Sequence, residues 1–274
     1  MKRKNITSLL ILLFLVSFFP SNNVRADVAP PEMPPGSTLF PGDETTQVRM
    51  VAETVILNIR QNPADEAGAI ASTQATFTMR NLGTESETME ARFPLSFVSG
   101  YSDGFGNYPE IKDITVKVNG SVTRTKREMQ PALNDGFQER AEVPWAVFNV
   151  TFPPGEDVVI DVTYTTSGFG YYPYEAFKYI LETGAGWKDT IGSADIIVRL
   201  PYDASRLNVW LPNDTTGYSQ TTPGAVLNGR EVKWHFDELE PTAESNIEIS
   251  IVTPSLWQKV LNETKNTTSN PNDG

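Results

Sequence analysis

The chain has no cysteine and only one histidine, His235. Without cysteine there is no disulfide, no thiol nucleophile and no thiolate metal site. A folded domain must then be held by buried apolar surface alone, which a chain of 274 residues permits. Small eukaryotic secreted domains ordinarily lean on disulfides, so an exported chain that lacks them points to a bacterial source. A single histidine excludes His-rich zinc centres. A Ser-His-Asp triad would have to be built on His235, whose strand parity is opposite to that of Trp234 and Phe236 and aims it at solvent. No Gly-x-Ser-x-Gly elbow is present either.

Positive charge is also scarce. Lys and Arg number 22 against 34 Asp and Glu, a net charge of −12. Four of the 22 basic residues (Lys2, Arg3, Lys4 and Arg25) lie in the first 26 positions, so the rest of the chain carries 18 against 34. Nucleic acid and anionic lipid both require a positive footprint, and such a chain offers none.

Long hydrophobic runs are missing as well. The one uncharged apolar stretch, Ile6 to Phe19, spans 14 residues, short of the ~20 needed to cross a bilayer. It follows the basic Lys2-Arg3-Lys4 and is closed by Pro20 and the small-x-small Val24-Arg25-Ala26. This is the layout of a secretory signal peptide over residues 1–26, with cleavage expected before Asp27. No cysteine follows the apolar stretch, so lipid anchoring of the lipoprotein kind is not expected. The expected destination is the extracellular space or the cell envelope, with no transmembrane anchor after cleavage.

Residues 27–44 are rich in proline (Pro30, Pro31, Pro34, Pro35, Pro41) and read as an extended linker. Beyond them the hydrophobic pattern has period two. Val51, Val55, Leu57 and Ile59 share parity, as do Ala75, Phe77 and Met79, then Met89, Ala91 and Phe93, and then Ile114, Val116 and Val118. The alternation continues through Ala146 to Phe152, Val158 to Tyr164, Phe177 to Leu181, Ala194 to Leu200, Leu207 to Leu211, Val232 to Phe236 and Ile247 to Ile251. Asn119-Gly120 and Asn228-Gly229 are hairpin turn signals, and Pro153-Pro154-Gly155-Glu156 turns the chain once more. Only Leu256 to Leu261 reads as helix, and no βαβ alternation occurs. The pattern therefore predicts an all-β, antiparallel β-sandwich protein. The expected arrangement is two tandem immunoglobulin-like sandwiches over residues 45–166 and 167–254, with a short C-terminal helix and a disordered tail over 255–274. A single larger sandwich is the alternative.

Two loops nearly repeat. Gly104-Phe105-Gly106-Asn107-Tyr108-Pro109 matches Gly168-Phe169-Gly170-Tyr171-Tyr172-Pro173 at five of six positions. Glycine frees the backbone while the rings stay adjacent. Phe105, Tyr108, Phe169, Tyr171 and Tyr172 are thus candidate ligand-binding residues that would stack on sugar rings or grip a partner chain. The same rings would serve equally as a plug at the end of a core. Thr183-Gly184-Ala185-Gly186-Trp187-Lys188-Asp189-Thr190-Ile191-Gly192 forms a second shaped loop, whose Trp187 either caps the core or lines a groove. Its Gly/Lys spacing is not that of a phosphate loop. Asp103, Asn107, Glu110 and Asp113 gather hard oxygen ligands on a glycine-containing turn, and Ca²⁺ is the cation they would suit. Their spacing is not an EF-hand, and a solvated acidic loop fits the same residues.

The segments Phe77-Thr78-Met79-Arg80-Asn81, Phe93-Pro94-Leu95, Tyr179 to Trp187, and Ile197-Val198-Arg199-Leu200-Pro201 resemble exported bacterial β-rich families of unknown function. That likeness implies export and β-structure and carries over no catalytic residue. The sequence thus leads to a secreted or envelope-associated, non-catalytic β-sandwich module that binds a glycan or a protein partner. A carboxylate-based extracellular polysaccharide hydrolase and a purely structural envelope protein are the competing readings.

Overall fold

The computed structural model describes residues 40–41, 46–95, 111–130, 142–170, 173–211, 221–242 and 245–268. Where a strand has one wet and one dry face, alternation of side chains is what sorts them, and the strands follow the period-two segments closely. They are β1 (Phe40–Pro41), β2 (Val48–Gln61), β3 (Ala69–Asn81), β4 (Glu87–Pro94), β5 (Lys112–Val118), β6 (Ser121–Thr123), β7 (Lys126–Gln130), β8 (Val143–Phe152) and β9 (Asp157–Ser167). The second half adds β10 (Tyr174–Tyr179), β11 (Ile191–Arg199), β12 (Val209–Trp210), β13 (Val226–Asn228), β14 (Glu231–Leu239) and β15 (Ile247–Val252). One α-helix, α1 (Pro254–Thr268), closes the described chain.

An eight-stranded sheet runs in the order β13-β14-β11-β2-β3-β9-β5-β6. Its buried face carries Val55, Leu57, Ala75, Phe77, Met79, Ile160, Val162, Ala194, Ile196, Val198, Val232 and Trp234. Its other face is laced by cross-strand polar pairs, among them Arg80–Asp157 at 2.6 Å, Arg199–Glu231 at 2.9 Å and Thr76–Asp161 at 2.7 Å. Two smaller sheets, β1-β4-β8-β7 and β10-β15-β12, cover the buried face. Phe93 of β4 meets Tyr164 of β9 with ring centroids 5.4 Å apart. From the three-stranded sheet, the Tyr179 hydroxyl donates to Glu53 Oε1 of β2 at 2.6 Å. Both of those residues are 1 % exposed, so a carboxylate sits in the core with a phenol bonded to it.

Among the described residues the fold is mostly strand, with largely antiparallel sheets and a C-terminal α-helix, as the pattern predicts. The expected boundary at residues 166/167 does not appear as a break between sandwiches. Ser193 to Arg199 of β11 pair in parallel with Ala52 to Asn58 of β2, so one sheet joins strands from both expected halves. A parallel pairing between strands more than a hundred residues apart leaves no local sequence trace, which is why the period-two pattern suggested two consecutive sandwiches.

Other differences are local. A register shift in the β2–β3 ladder between Met50 and Ala52 swaps the parity of β2. Val48 and Met50 therefore face the core together with Glu53 and Val55, while Val51 does not. A bulge of this kind places two residues opposite one. Gly192 of β11 accommodates it, since a Cβ there would lie 2.4 Å from the Val51 carbonyl oxygen. The C-terminal helix is longer than Leu256 to Leu261 and extends to Thr268. Asn262 and Thr264, assigned by composition to a disordered tail, take part in i to i+4 bonds: Gln258 Nε2 donates to Asn262 Oδ1 at 3.0 Å and Thr264 Oγ1 to the Val260 carbonyl at 2.8 Å. No helix among the described residues is long and apolar enough to cross a membrane.

Candidate functional site

The three-stranded sheet presents its inner face to the core through Phe177, Tyr179, Ile247, Ile249 and Ile251. Strand partners share a face, so the register fixes what lies on the outer one. Tyr174 stands opposite Val252, Ala176 opposite Ser250, Lys178 opposite Glu248, and Trp210 of β12 also opposite Ser250. Phe169 extends the same row through a bridge to Ala176, with backbone hydrogen bonds of 3.1 and 2.7 Å. Phe169 and Trp210 thus stand at the two ends of one cross-sheet row, with the small Ala176 and Ser250 between them.

Along this row Ala176 and Ser250 are buried, and the opening lies at the β12 edge of the sheet: a hollow of about 430 Å³ lined by Tyr174, Arg206, Leu207, Val209 and Trp210. That lies within the ~300–1,000 Å³ of small-ligand sites. Three of the lining residues are large and exposed: Tyr174 at 47 %, Leu207 at 78 % and Trp210 at 56 %.

Leu207 and Arg206 are held outward by a locked turn. Asn208, 1 % exposed, accepts from the Ser205 N–H through Oδ1 at 2.8 Å and donates through Nδ2 to the Asp203 carbonyl at 3.0 Å. The Ser205 carbonyl accepts from the N–H groups of Asn208 and Val209 at 3.1 and 2.9 Å, and Ser205 Oγ accepts from the Leu207 N–H at 3.3 Å. The Asn208 carbonyl in turn accepts from the Val252 N–H at 2.9 Å, tying the turn to β15. The buried Tyr202 hydroxyl donates to the Val252 carbonyl, and the Tyr202 ring packs 5.9 Å from Trp257 of α1. The wall that carries Arg206 is therefore anchored at both the sheet and the helix.

Charges around the face divide clearly. Lys178 Nζ lies 2.9 Å from Glu248 Oε2, with both side chains largely buried, and 5.6 Å from the Phe169 ring centroid. Arg206 is exposed and forms no ion pair with any described residue.

Of the residues singled out from sequence, only part falls on this face. Phe169 is half-buried there, and Gly170 beside it has φ 126°, a backbone state that favours glycine. Tyr171 and Tyr172 lie outside the described residues, as do Phe105 and Tyr108 of the first loop. Trp187 is 4 % exposed and packs edge-on against Phe152 at 6.0 Å. It follows a 3-10 turn, Glu182–Gly186, and its ring fills the core, which leaves it no face for a ligand. Among the residues expected to hold Ca²⁺, Asp103, Asn107 and Glu110 lie outside the described residues. Asp113 is an exposed residue of β5 with φ 57° at a register irregularity. No group of three or more His, Asp or Glu among the described residues is placed to hold a metal ion.

Tyr174, Arg206, Leu207 and Trp210 were not singled out from sequence. The Leu207-x-Val209-x-Leu211 alternation imitates a strand with an inward Leu207. The available signal was the cluster Asp203-Ala204-Ser205 with Asn208, a set of turn formers whose side chains bond to nearby backbone.

The lone histidine lies on the polar face of the large sheet, as its parity predicts. His235 Nδ1 is 2.8 Å from Asp195 Oδ1, and Nε2 is 3.4 Å from Asp237 Oδ2. The hydrogen bond to Asp195 outweighs a small desolvation effect and raises the His235 pKa above its ordinary 6.5. Burial opposes ionisation of Asp195, yet Lys233, 2.8 Å away, and His235 hold its carboxyl below the usual range. A histidine with a raised folded pKa contributes stability that is fully present below its unfolded pKa and is lost as pH rises through the folded one. A proton NMR titration of this single imidazole should give a midpoint above 6.5, and Asp195→Asn should lower that midpoint. A wild-type midpoint at or below 6.5 would contradict the pairing.

No protein-family model matches the chain, and no curated protein matches it. Among solved structures, a "putative nutrient binding protein" of Legionella pneumophila is similar with a TM-score of 0.63 at 20% sequence identity, covering 85% of this chain and 75% of that one. At that identity the likeness is one of fold. A two-domain M1 zinc metallopeptidase aligns with a TM-score of 0.34 at 10% identity, covering 76% of this chain and 43% of that one, and this carries no inference about the protein.

Proposed function

We propose that this protein is an exported, non-catalytic β-sandwich module of the cell envelope or extracellular space, which binds a glycan at the β12 edge of its three-stranded sheet. The observation that carries the reading is the hollow between Tyr174 and Trp210, where two aromatic rings and Leu207 stay exposed on strands and a locked turn. Exposed large apolar groups gathered at one concave place mark binding sites, whereas scattered ones need no explanation. Aromatic faces carry negative electrostatic potential, and the C–H groups on the flat side of a sugar ring are attracted to them. Rings set on a hydrogen-bonded scaffold lose little conformational entropy when they bind.

Export rests on Lys2-Arg3-Lys4, the apolar Ile6 to Phe19, and Val24-Arg25-Ala26. The description of the Legionella protein as nutrient-binding fits a role in small-ligand capture.

Two measurements test the reading. N-terminal sequencing of protein from its native host should begin at Asp27, and material that retains Met1 inside the cell would overturn the export half. On a glycan array the purified protein should be retained by at least one class of saccharide without turning it over. Retention by none, or hydrolysis of the retained class, would overturn the binding-module half.

A further inference from the structure

The hollow offers more than ring faces: among the described residues that line it, Arg206 carries a positive charge. We infer that it takes a glycan ending in a single uronic acid, with the sugar ring against Trp210 and Tyr174 and the carboxylate on the Arg206 guanidinium. This rests on the reading of the face as a glycan site and narrows it.

Four observations support the choice. Arg206 lines the same hollow as the exposed rings. It stands on a turn fixed by the bonds of Ser205 and Asn208, so its backbone position is set before a ligand arrives. It has no ion partner among the described residues, in a chain where acidic side chains outnumber basic ones by 34 to 22. The other cation on this face, Lys178, is already engaged by Glu248 at 2.9 Å. A guanidinium presents a planar fork that matches a carboxylate with two parallel hydrogen bonds, which an ammonium cannot do.

Competing anions fit less well. Phosphate groups and peptide C-termini are commonly captured by several converging backbone N–H groups. Here the N–H groups of Ser205, Leu207, Asn208 and Val209 already donate to Asn208 Oδ1, Ser205 Oγ and the Ser205 carbonyl. A polyanionic glycan would meet the field of an exported protein whose 18 basic residues beyond position 26 stand against 34 acidic ones. A single carboxylate feels mainly its own contact, because charges beyond about 8 Å are screened at physiological salt. One acidic sugar at a chain end satisfies both conditions.

The test is calorimetric titration of the purified protein with cellobiouronic acid and with cellobiose, which differ by one carboxylate. The acid should bind at least tenfold more tightly. Arg206→Gln should reduce that ratio to below about threefold with the melting temperature unchanged, since Arg206 is exposed and makes no ion pair with any described residue. Equal binding of the two disaccharides, binding of neither, or an Arg206→Gln protein that keeps the preference would overturn the inference. So would stronger binding of a short peptide with a free C-terminal carboxylate. The broader reading fails separately. If array retention of some other saccharide still falls on Trp210→Ala, only the acidic-sugar assignment is lost. If retention is indifferent to Trp210→Ala, the binding face is lost with it.

Discussion

Trp187→Ala should lower the stability of the protein by about 3–5 kcal/mol, the range seen when a large buried aromatic is truncated. The indole is 4 % exposed, and its ring meets Phe152 of β8 edge-on at 6.0 Å. Its backbone is fixed too: the Trp187 N–H bonds to the Gly184 carbonyl at 3.2 Å and the neighbouring Lys188 N–H to the Val48 carbonyl at 2.9 Å. The chain cannot simply collapse into the space the ring vacates, so both the lost burial and the cavity should register. For a chain of this length the fall in melting temperature should be on the order of 10 °C. Thermal unfolding followed by circular dichroism measures it. A change below about 1 kcal/mol would show that Trp187 is not core and would return it to the list of candidate ligand contacts.

Asn81→Ala should also be costly, for a different reason. Asn81 is 0 % exposed, yet every polar atom of its side chain is occupied. Nδ2 donates to the Glu85 carbonyl at 2.8 Å and the Phe152 carbonyl at 2.9 Å, and Oδ1 accepts from the Gly83 N–H at 2.8 Å. The side chain therefore holds the turn between β3 and β4 closed and pins it to the end of β8. Each buried bond contributes about 1 kcal/mol net, and a backbone group left without a partner costs more. The expected loss is about 3 kcal/mol by denaturant titration, and Asn81→Asp should be no milder than Ala, because its carboxylate would face the Glu85 and Phe152 carbonyl oxygens that now accept from Nδ2. A loss under about 1 kcal/mol would mean that water replaces the side chain freely.

The strands that face one buried layer were legible in the sequence. Ala75, Phe77 and Met79 of β3, and Val158, Ile160 and Val162 of β9, alternate as a sheet with one dry face must. The polar side chains between them, such as Thr76 and Asp161, bond to each other across the strands. The parity of β2 was misread at Val51 because a bulge is a property of the pairing rather than of one strand. Glu53 shares the inward parity of Val55 and is core, but its partner Tyr179 lies 126 positions away and leaves no local trace. The union of β2 with β11 is invisible for the same reason: only tertiary pairing creates it.

The candidate site was legible in part. The Gly168-Phe169-Gly170 segment is legible because glycine next to aromatic residues is locally unusual, and it bridges to β10 at Ala176, away from the residues that line the hollow. Leu207 is hidden by an alternation that the structure does not obey there, whereas Trp210 and Val209 follow it, one exposed and the other buried. Asn208, placed by parity on the wet side, is the buried anchor of the turn, and Leu207, placed on the dry side, is its exposed tip. Side chain to backbone bonding outweighed hydrophobic sorting there, and a two-residue strand buries too little to enforce the pattern.

If the exposed rings of the small sheet are there for a ligand, their removal should abolish binding and spare the fold. The decisive measurement compares array retention and melting temperature for wild type and the double variant Tyr174→Ala/Trp210→Ala. Both side chains are about half exposed, so the fold should hardly notice their loss, with stability changing by about 0.5 kcal/mol or less per site. Retention should fall at least tenfold, as it does when hot-spot aromatics are removed. Undiminished retention by a folded double variant would contradict the account, and so would unfolding of the variant, which would make these rings structural.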